Sequence, residues 1–141
     1  MTNKLIINTD GGARGNPGPA GIGVVIKNEK GEVLAEISKY IGKTTNNQAE
    51  YQALVAGIEK CAKLVGEKAK ETELDFLLDS ELVVKQMRGE YKVRNVDLQP
   101  WFVKVYNQTL KFKKVKFGHV RREKNKEADA LANQAMDKGD N

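Results

Sequence analysis

Residues Lys4-Leu-Ile-Ile-Asn-Thr-Asp10 form an apolar run that ends on a carboxylate, with Gly11-Gly12 directly behind it. Leu5, Ile6 and Ile7 in succession predict a strand covered on both faces. A chain with such a strand needs layers on either side of a sheet. An Asp at the end of that strand is costly to bury unless something cationic meets it. The paired glycines allow a close approach of backbone or ligand, or a positive φ. Asp-Gly is also an ordinary hairpin signal, so Asp10 read alone could open a simple turn.

Composition narrows the class. The chain has 141 residues, 40% of them hydrophobic, which predicts one domain over residues 1–141 with a proper core. No apolar run approaches the roughly 18 residues of a membrane span, and no signal peptide is visible. The single Cys61 excludes an internal disulfide framework and fits a reducing, cytoplasmic setting. Lys and Arg number 24 against 19 Asp and Glu, giving +5. That excess favours polyanionic partners, nucleic acid first.

Periodicity sets the element order. Ala20–Ile26 and Val33–Ile41 read as second and third strands joined by the Asn28–Gly31 turn, an antiparallel meander. The period then changes. Thr45-Asn46-Asn47 offers a cap, and Leu54, Ile58, Cys61 and Val65 mark a helix running to about Gly66. A polar loop, Gly66 to Thr72, leads to a strand at Leu74–Leu78 and a short helix through Leu82 to Met87. An irregular basic connection, Gly89 to Asn95, precedes a helix over Asp97–Leu110 with Trp101, Phe102, Val105 and Tyr106. A strand at Lys114–Val120, a basic loop Arg121–Lys124 and a helix over about Asn125–Asp137 follow, with Ala128, Leu131, Ala132 and Ala135 inward. Gly139-Asp140-Asn141 is expected to fray. The order βββ-α-β-α-α-β-α predicts an α/β fold whose later strands lie parallel to the first.

Four acids stand out by position. Asp10 and Asp79 fall at strand ends, where open α/β sheets place their sites. Glu50 lies four residues before Leu54 on the core-facing side of its helix, and Asp129 borders the buried side of the last helix. Separately, Asp79 could cap a helix and Asp129 could be a surface charge. Together, four carboxylates repel and call for divalent cations. All-oxygen ligands select Mg²⁺ or Mn²⁺ over Zn²⁺, and one His with one Cys makes a zinc site a poor fit.

Five motifs now stand in order: Thr9-Asp10-Gly11-Gly12 with Gly15-Asn16-Pro17-Gly18-Pro19, Thr44-Thr45-Asn46-Asn47-Gln48-Ala49-Glu50, Leu78-Asp79-Ser80 with Gln86, Asn95-Val96-Asp97-Leu98, and Asn125-Lys-Glu-Ala-Asp129-Ala-Leu-Ala. In this set the chain resembles type 1 ribonuclease H. The resemblance implies a ribonuclease H-like fold, with a mixed five-stranded sheet of three antiparallel strands and two parallel ones. It implies endonucleolytic hydrolysis of the RNA strand of an RNA–DNA hybrid, without base-sequence specificity, giving 3′-hydroxyl and 5′-phosphate ends. It implies two Mg²⁺, with Mn²⁺ able to substitute. Asp10 would be shared by both ions, Asp129 would help hold the ion nearer the attacking water, and Glu50 and Asp79 would hold the other. Substrate contacts carry over to Gly11 at a sugar, to Asn16, Asn46 and Asn47 in the minor groove, and to Thr45 at a DNA phosphate. Minor-groove contacts to 2′-hydroxyls tell RNA from DNA without reading sequence.

The departures from the family are specific. The connection from Gly89 to Asn95 is too short for the basic extra helix of many bacterial members, which leaves Lys92 and Arg94 as a smaller patch. Glu81 stands where several members carry a Gln that contacts RNA. His119 lies ten residues before Asp129, the spacing of the family's mobile histidine. Two readings stay open for it: a catalytic group, or a residue held in a strand. Cys61 and Trp101 read as core. The chain is expected to act as a stand-alone monomer with no obligate protein partner. The alternatives are a catalytically silent module binding hybrid or double-stranded RNA, and the nuclease domain of a larger polymerase or integrase-like protein.

Overall fold

In the computed structural model, which describes residues 3–139, the first strand is the middle strand of its sheet. This is β1 (Asn3–Ala13), in a five-stranded sheet ordered β3-β2-β1-β4-β5. β2 (Gly18–Asn28) and β3 (Val33–Thr44) run antiparallel as a meander, while β4 (Thr72–Leu78) and β5 (Lys114–His119) run parallel to β1. The expected mixed sheet is therefore present, three strands antiparallel and then two parallel.

Helices cover both faces. α1 (Asn46–Val65) packs Gly57 against Ile7, Val24 and Phe76. α2 (Glu81–Met87) and α3 (Gln99–Thr109) extend that same layer, whose core includes Tyr51, Leu54, Ile58 and Phe117. Cys61 is fully buried there, and burial pushes its thiol up to about 12. Trp101 packs partly buried against this core, in line with its expected role. α4 (Lys126–Lys138) lies on the opposite face, so close to β2 that a side chain at Gly23 would meet the Ala128 carbonyl.

Several boundaries move, each for a physical reason. β1 does not end at Asp10. Its pairing with β2 continues through Asp10↔Gly23, Gly11↔Ile22 and Ala13↔Ala20, because backbone pairing needs no apolar side chain. This removes the hairpin-turn reading of Asp10, since the turn comes after Ala13. Gly66–Glu71 is a 3₁₀ helix and not a loop. α3 starts at Gln99, two residues past the expected Asp97, with Pro100 in its first turn, where a missing N–H does no harm. β5 stops at His119, and Val120 already lies beyond it. Leu131 is only half-buried, while Ala128, Ala132 and Ala135 form the buried side of α4. Of the expected frayed end, Asp140 and Asn141 lie outside the described residues.

Candidate active site

The site begins where β1 loses one neighbour. Its parallel pairing with β4 runs only from Asn3↔Thr72 to Asn8↔Leu77, while its antiparallel pairing with β2 goes on to Ala13. Beyond Asn8 the chain of β4 turns away toward α2, and a cleft opens between Asp10 and Asp79. Its volume is about 650 Å³, and its lining includes Asp10, Glu50, Asp79, His119, Arg122 and Asp129. All four predicted acids therefore meet in one cavity.

Each acid is placed by its own element. Glu50 is carried over β1 by α1, whose approach depends on Gly11. A side chain there would sit 2.2 Å from the Ala49 carbonyl oxygen. Glu50 accepts a hydrogen bond from the Gly11 backbone N–H, while its Oε2 is buried with no partner. Asp79 follows β4, and Ser80, not Asp79, caps α2 by accepting from the Val83 N–H at 3.4 Å. Asp129 sits in the first turn of α4, near enough to Asp10 for its charge to add to burial in raising the Asp10 carboxyl.

The electrostatics are those of crowded acids. Asp10 is 8% exposed, and its carboxyl is raised to about 8, first by burial and then by the charges of Asp79 and Asp129. Glu50, 7% exposed, is also raised, by burial and then by Asp10 and Asp79. Burial raises Asp79 as well, opposed by the Arg122 guanidinium 4.0 Å away. Carboxylate oxygens of Asp10, Glu50 and Asp79 all lie within 4.8 Å of one another. A buried, partnerless oxygen inside such an all-oxygen cluster fits a hard divalent cation. Asp129 joins this triad through Asp10.

Of the predicted substrate residues, Gly11, Asn46 and Asn47 line the cleft with the acids, and Asn16 and Thr45 do not. The Asn46 side chain accepts from the Ala13 N–H at 2.8 Å, and Asn16 accepts from the Asn46 N–H at 2.9 Å. Thr45 is the cap of α1, accepting from the Gln48 N–H at 3.3 Å. Asn46 and Asn47 line the cleft wall with Gly11, whereas Asn16 reaches the cleft through Asn46. His119 is the last residue of β5, in register with Leu78; its side chain is exposed at the cleft.

Two contributors escape sequence reasoning. Arg122 is one cation in a run of charges, and only the fold brings it to Asp79. Asn125, 1% exposed, donates to the Thr9 carbonyl and accepts from the Asn8 side chain, both at 2.9 Å. It fastens the start of α4 to the residues just before Asp10. The one available signal was its place at the head of the last motif.

Comparison with known proteins agrees with this geometry. A family model described as "Reverse transcriptase-like" matches residues 8–135. A bifunctional protein of Mycobacterium tuberculosis is 44% identical over 135 residues, 95% of this chain but 36% of its own length. The chain thus spans about a third of the first curated relatives it matches. A ribonuclease H of Ruthia magnifica is 35% identical over 151 residues, covering 96% of this chain and 97% of its own. A ribonuclease H1 isolated from compost, solved in complex with an RNA/DNA hybrid, is 49% identical with a TM-score of 0.92, covering 97% of this chain and 99% of that one. With the strand order, the acid cluster and a full-length relative in accord, the chain belongs to the type 1 ribonuclease H family.

Proposed function

We propose that the chain hydrolyses the RNA strand of RNA–DNA hybrids, leaving a 3′-hydroxyl and a 5′-phosphate. The observation that carries this reading is the triad of Asp10, Glu50 and Asp79 with the unpartnered Glu50 oxygen. A cluster of repelling acids gives a pure binding module no advantage against phosphate. Asp10, central among the acids, would be shared by two Mg²⁺ ions, with Glu50 and Asp79 on one and Asp129 on the other. Two such ions stabilise the entering and leaving oxygens of an in-line displacement at phosphorus. The hybrid in the compost ribonuclease H1 complex supports the substrate class.

The chain's own residues supply position. Asn16 and Asn46 are locked to each other and to β1 through their backbone-facing oxygens. Their exposed amide NH₂ groups are left to meet 2′-hydroxyls and base edges. Thr45 heads α1, where backbone N–H groups favour a DNA phosphate. Arg122 opposes the negative field at Asp79 and would guide the scissile phosphate into the cleft. His119, exposed at the rim, would pass protons to the departing product. Among the described residues, no helix is long and apolar enough to cross a membrane. We further propose a monomer working in the cytoplasm.

The test is a labelled RNA–DNA hybrid incubated with Mg²⁺, Mn²⁺ or EDTA, beside single- and double-stranded controls. RNA should be cut and DNA spared, only with a divalent ion. Asp10→Asn should abolish cleavage while retaining hybrid binding. Binding without cleavage in either metal would make the chain a silent binding module. An Asp10→Asn protein cutting at near-parent rate would sink the metal assignment.

A further inference from the structure

β5 is an edge strand of the sheet, and its outer edge borders a second groove. This groove, about 660 Å³, shares no lining residue with the acid cleft. Met87 at the end of α2 and Tyr106 and Leu110 at the end of α3 form its wall; Val115 and Phe117 of β5 form its floor. Tyr106 and Leu110 are 51% and 68% exposed, large apolar surfaces turned toward water. Val103 continues that surface one turn earlier on α3.

The direction of the edge can be read from one bond. Arg88 Nε donates to the Phe117 carbonyl at 2.7 Å, so that carbonyl points away from β4. On a strand, alternate residues share a direction. Val115 N–H and C=O, and Phe117 N–H, therefore point into the groove. Arg88 occupies one acceptor and pairs loosely with Glu90 at 3.6 Å. The groove's lining contains Arg88, Lys114 and Lys116 and no acid. Among the described residues, neither Lys114 nor Lys116 is in an ion pair.

We propose that this groove takes an extended, acidic segment of a protein partner, which adds to the sheet as a sixth strand beside β5. Alternating donors and acceptors on an edge match a polypeptide backbone, which carries both; a DNA backbone carries no donors. Alternate apolar side chains of the segment would rest on Met87, Tyr106 and Leu110, and its acids would meet Arg88, Lys114 and Lys116. Strand addition of this kind takes affinity from main-chain hydrogen bonds and specificity from side-chain pockets.

The test uses the full chain and a fluorescein-labelled decapeptide of alternating aspartate and valine, read by fluorescence anisotropy. The peptide should bind, and amide exchange at Val115 and Phe117 should slow on binding. Leu110→Asp and Lys116→Glu should each weaken binding about tenfold or more. Both positions are exposed, so both variants should melt like the parent. The same peptide N-methylated at every residue keeps charge and side chains but has no backbone donor left for a strand ladder, and it should not bind. No binding by the parent peptide, equal binding by the methylated one, or indifference to both substitutions would overturn the proposal. Displacement by single-stranded DNA at equal charge, with no slowing at Val115 and Phe117, would also overturn it and reassign the groove to nucleic acid.

Discussion

Asp10 is costly where it stands, and the cost has a measurable sign. Its carboxyl is raised to about 8 by burial and by its acidic neighbours, and Glu50 is raised with it. A carboxyl whose folded-state pKa lies above its unfolded value favours folding below the ordinary carboxylate range. That advantage is lost as pH rises through the folded value. The metal-free protein should therefore weaken from about pH 5 to about pH 9 in urea melts run in EDTA. Asp10→Asn should flatten that decline and match or exceed the parent at the alkaline end. A parent curve that climbs with pH would show that the cluster is not protonated as described. Saturation with Mg²⁺ near neutral pH should release protons, visible as a binding heat that changes with buffer. Gly11 gives a second test. A methyl group at 2.2 Å from the Ala49 carbonyl must push α1 off β1. Gly11→Ala should cost about 3 kcal/mol or more in chemical denaturation, because the obstacle is backbone and not a flexible side chain. A variant as stable as the parent would show that α1 rides over β1 with slack. The paired glycines allowed a close approach of backbone or ligand, and at Gly11 the backbone of α1 makes such an approach.

The elements were legible where one period dominates and blurred where backbone pairing acts alone. α1 declares itself through Leu54, Ile58 and Cys61 and through its Thr45 cap. β1 could be followed only as far as its apolar run, so the stretch past Asp10, which makes the cleft, was invisible. The acids could be named because carboxylates beside core positions violate the usual pattern. Arg122 and Asn125 could not, because an exposed arginine and a polar residue before a helix violate nothing. Asn125 carries its weight between elements. It ties the entrance of α4 to Asn8 and Thr9 through two bonds, one of them fully buried. Asn125→Ala leaves those partners unsatisfied, at a cost of about 1–3 kcal/mol. Amide exchange should quicken first in the Arg122–Lys124 turn and the first turn of α4, ahead of β1 and β2. Uniform quickening across the sheet would mean that Asn125 supports the whole fold and not this junction.

At the scale of the molecule, charge is modest and dispersed. The surplus is +5, and the connection between α2 and α3 offers Lys92 and Arg94 without a further basic helix. Few phosphates can be met at once. Hybrid affinity should fall with salt at a slope no steeper than about −4, since each phosphate contact contributes about −0.7 to −0.9. A steeper slope, or dependence on base sequence, would point to a larger interface than the cleft provides. The four acids arrive from β1, α1, the end of β4 and α4, so no single element of the chain holds more than one of the set. Completion of the acid set is thus a property of the closed fold. A truncated product that has lost any one of these elements would lack part of the acid set. During refolding, the triad of Asp10, Glu50 and Asp79 would need only β1, α1 and β4 in place, and Asp129 would complete the set when α4 docks.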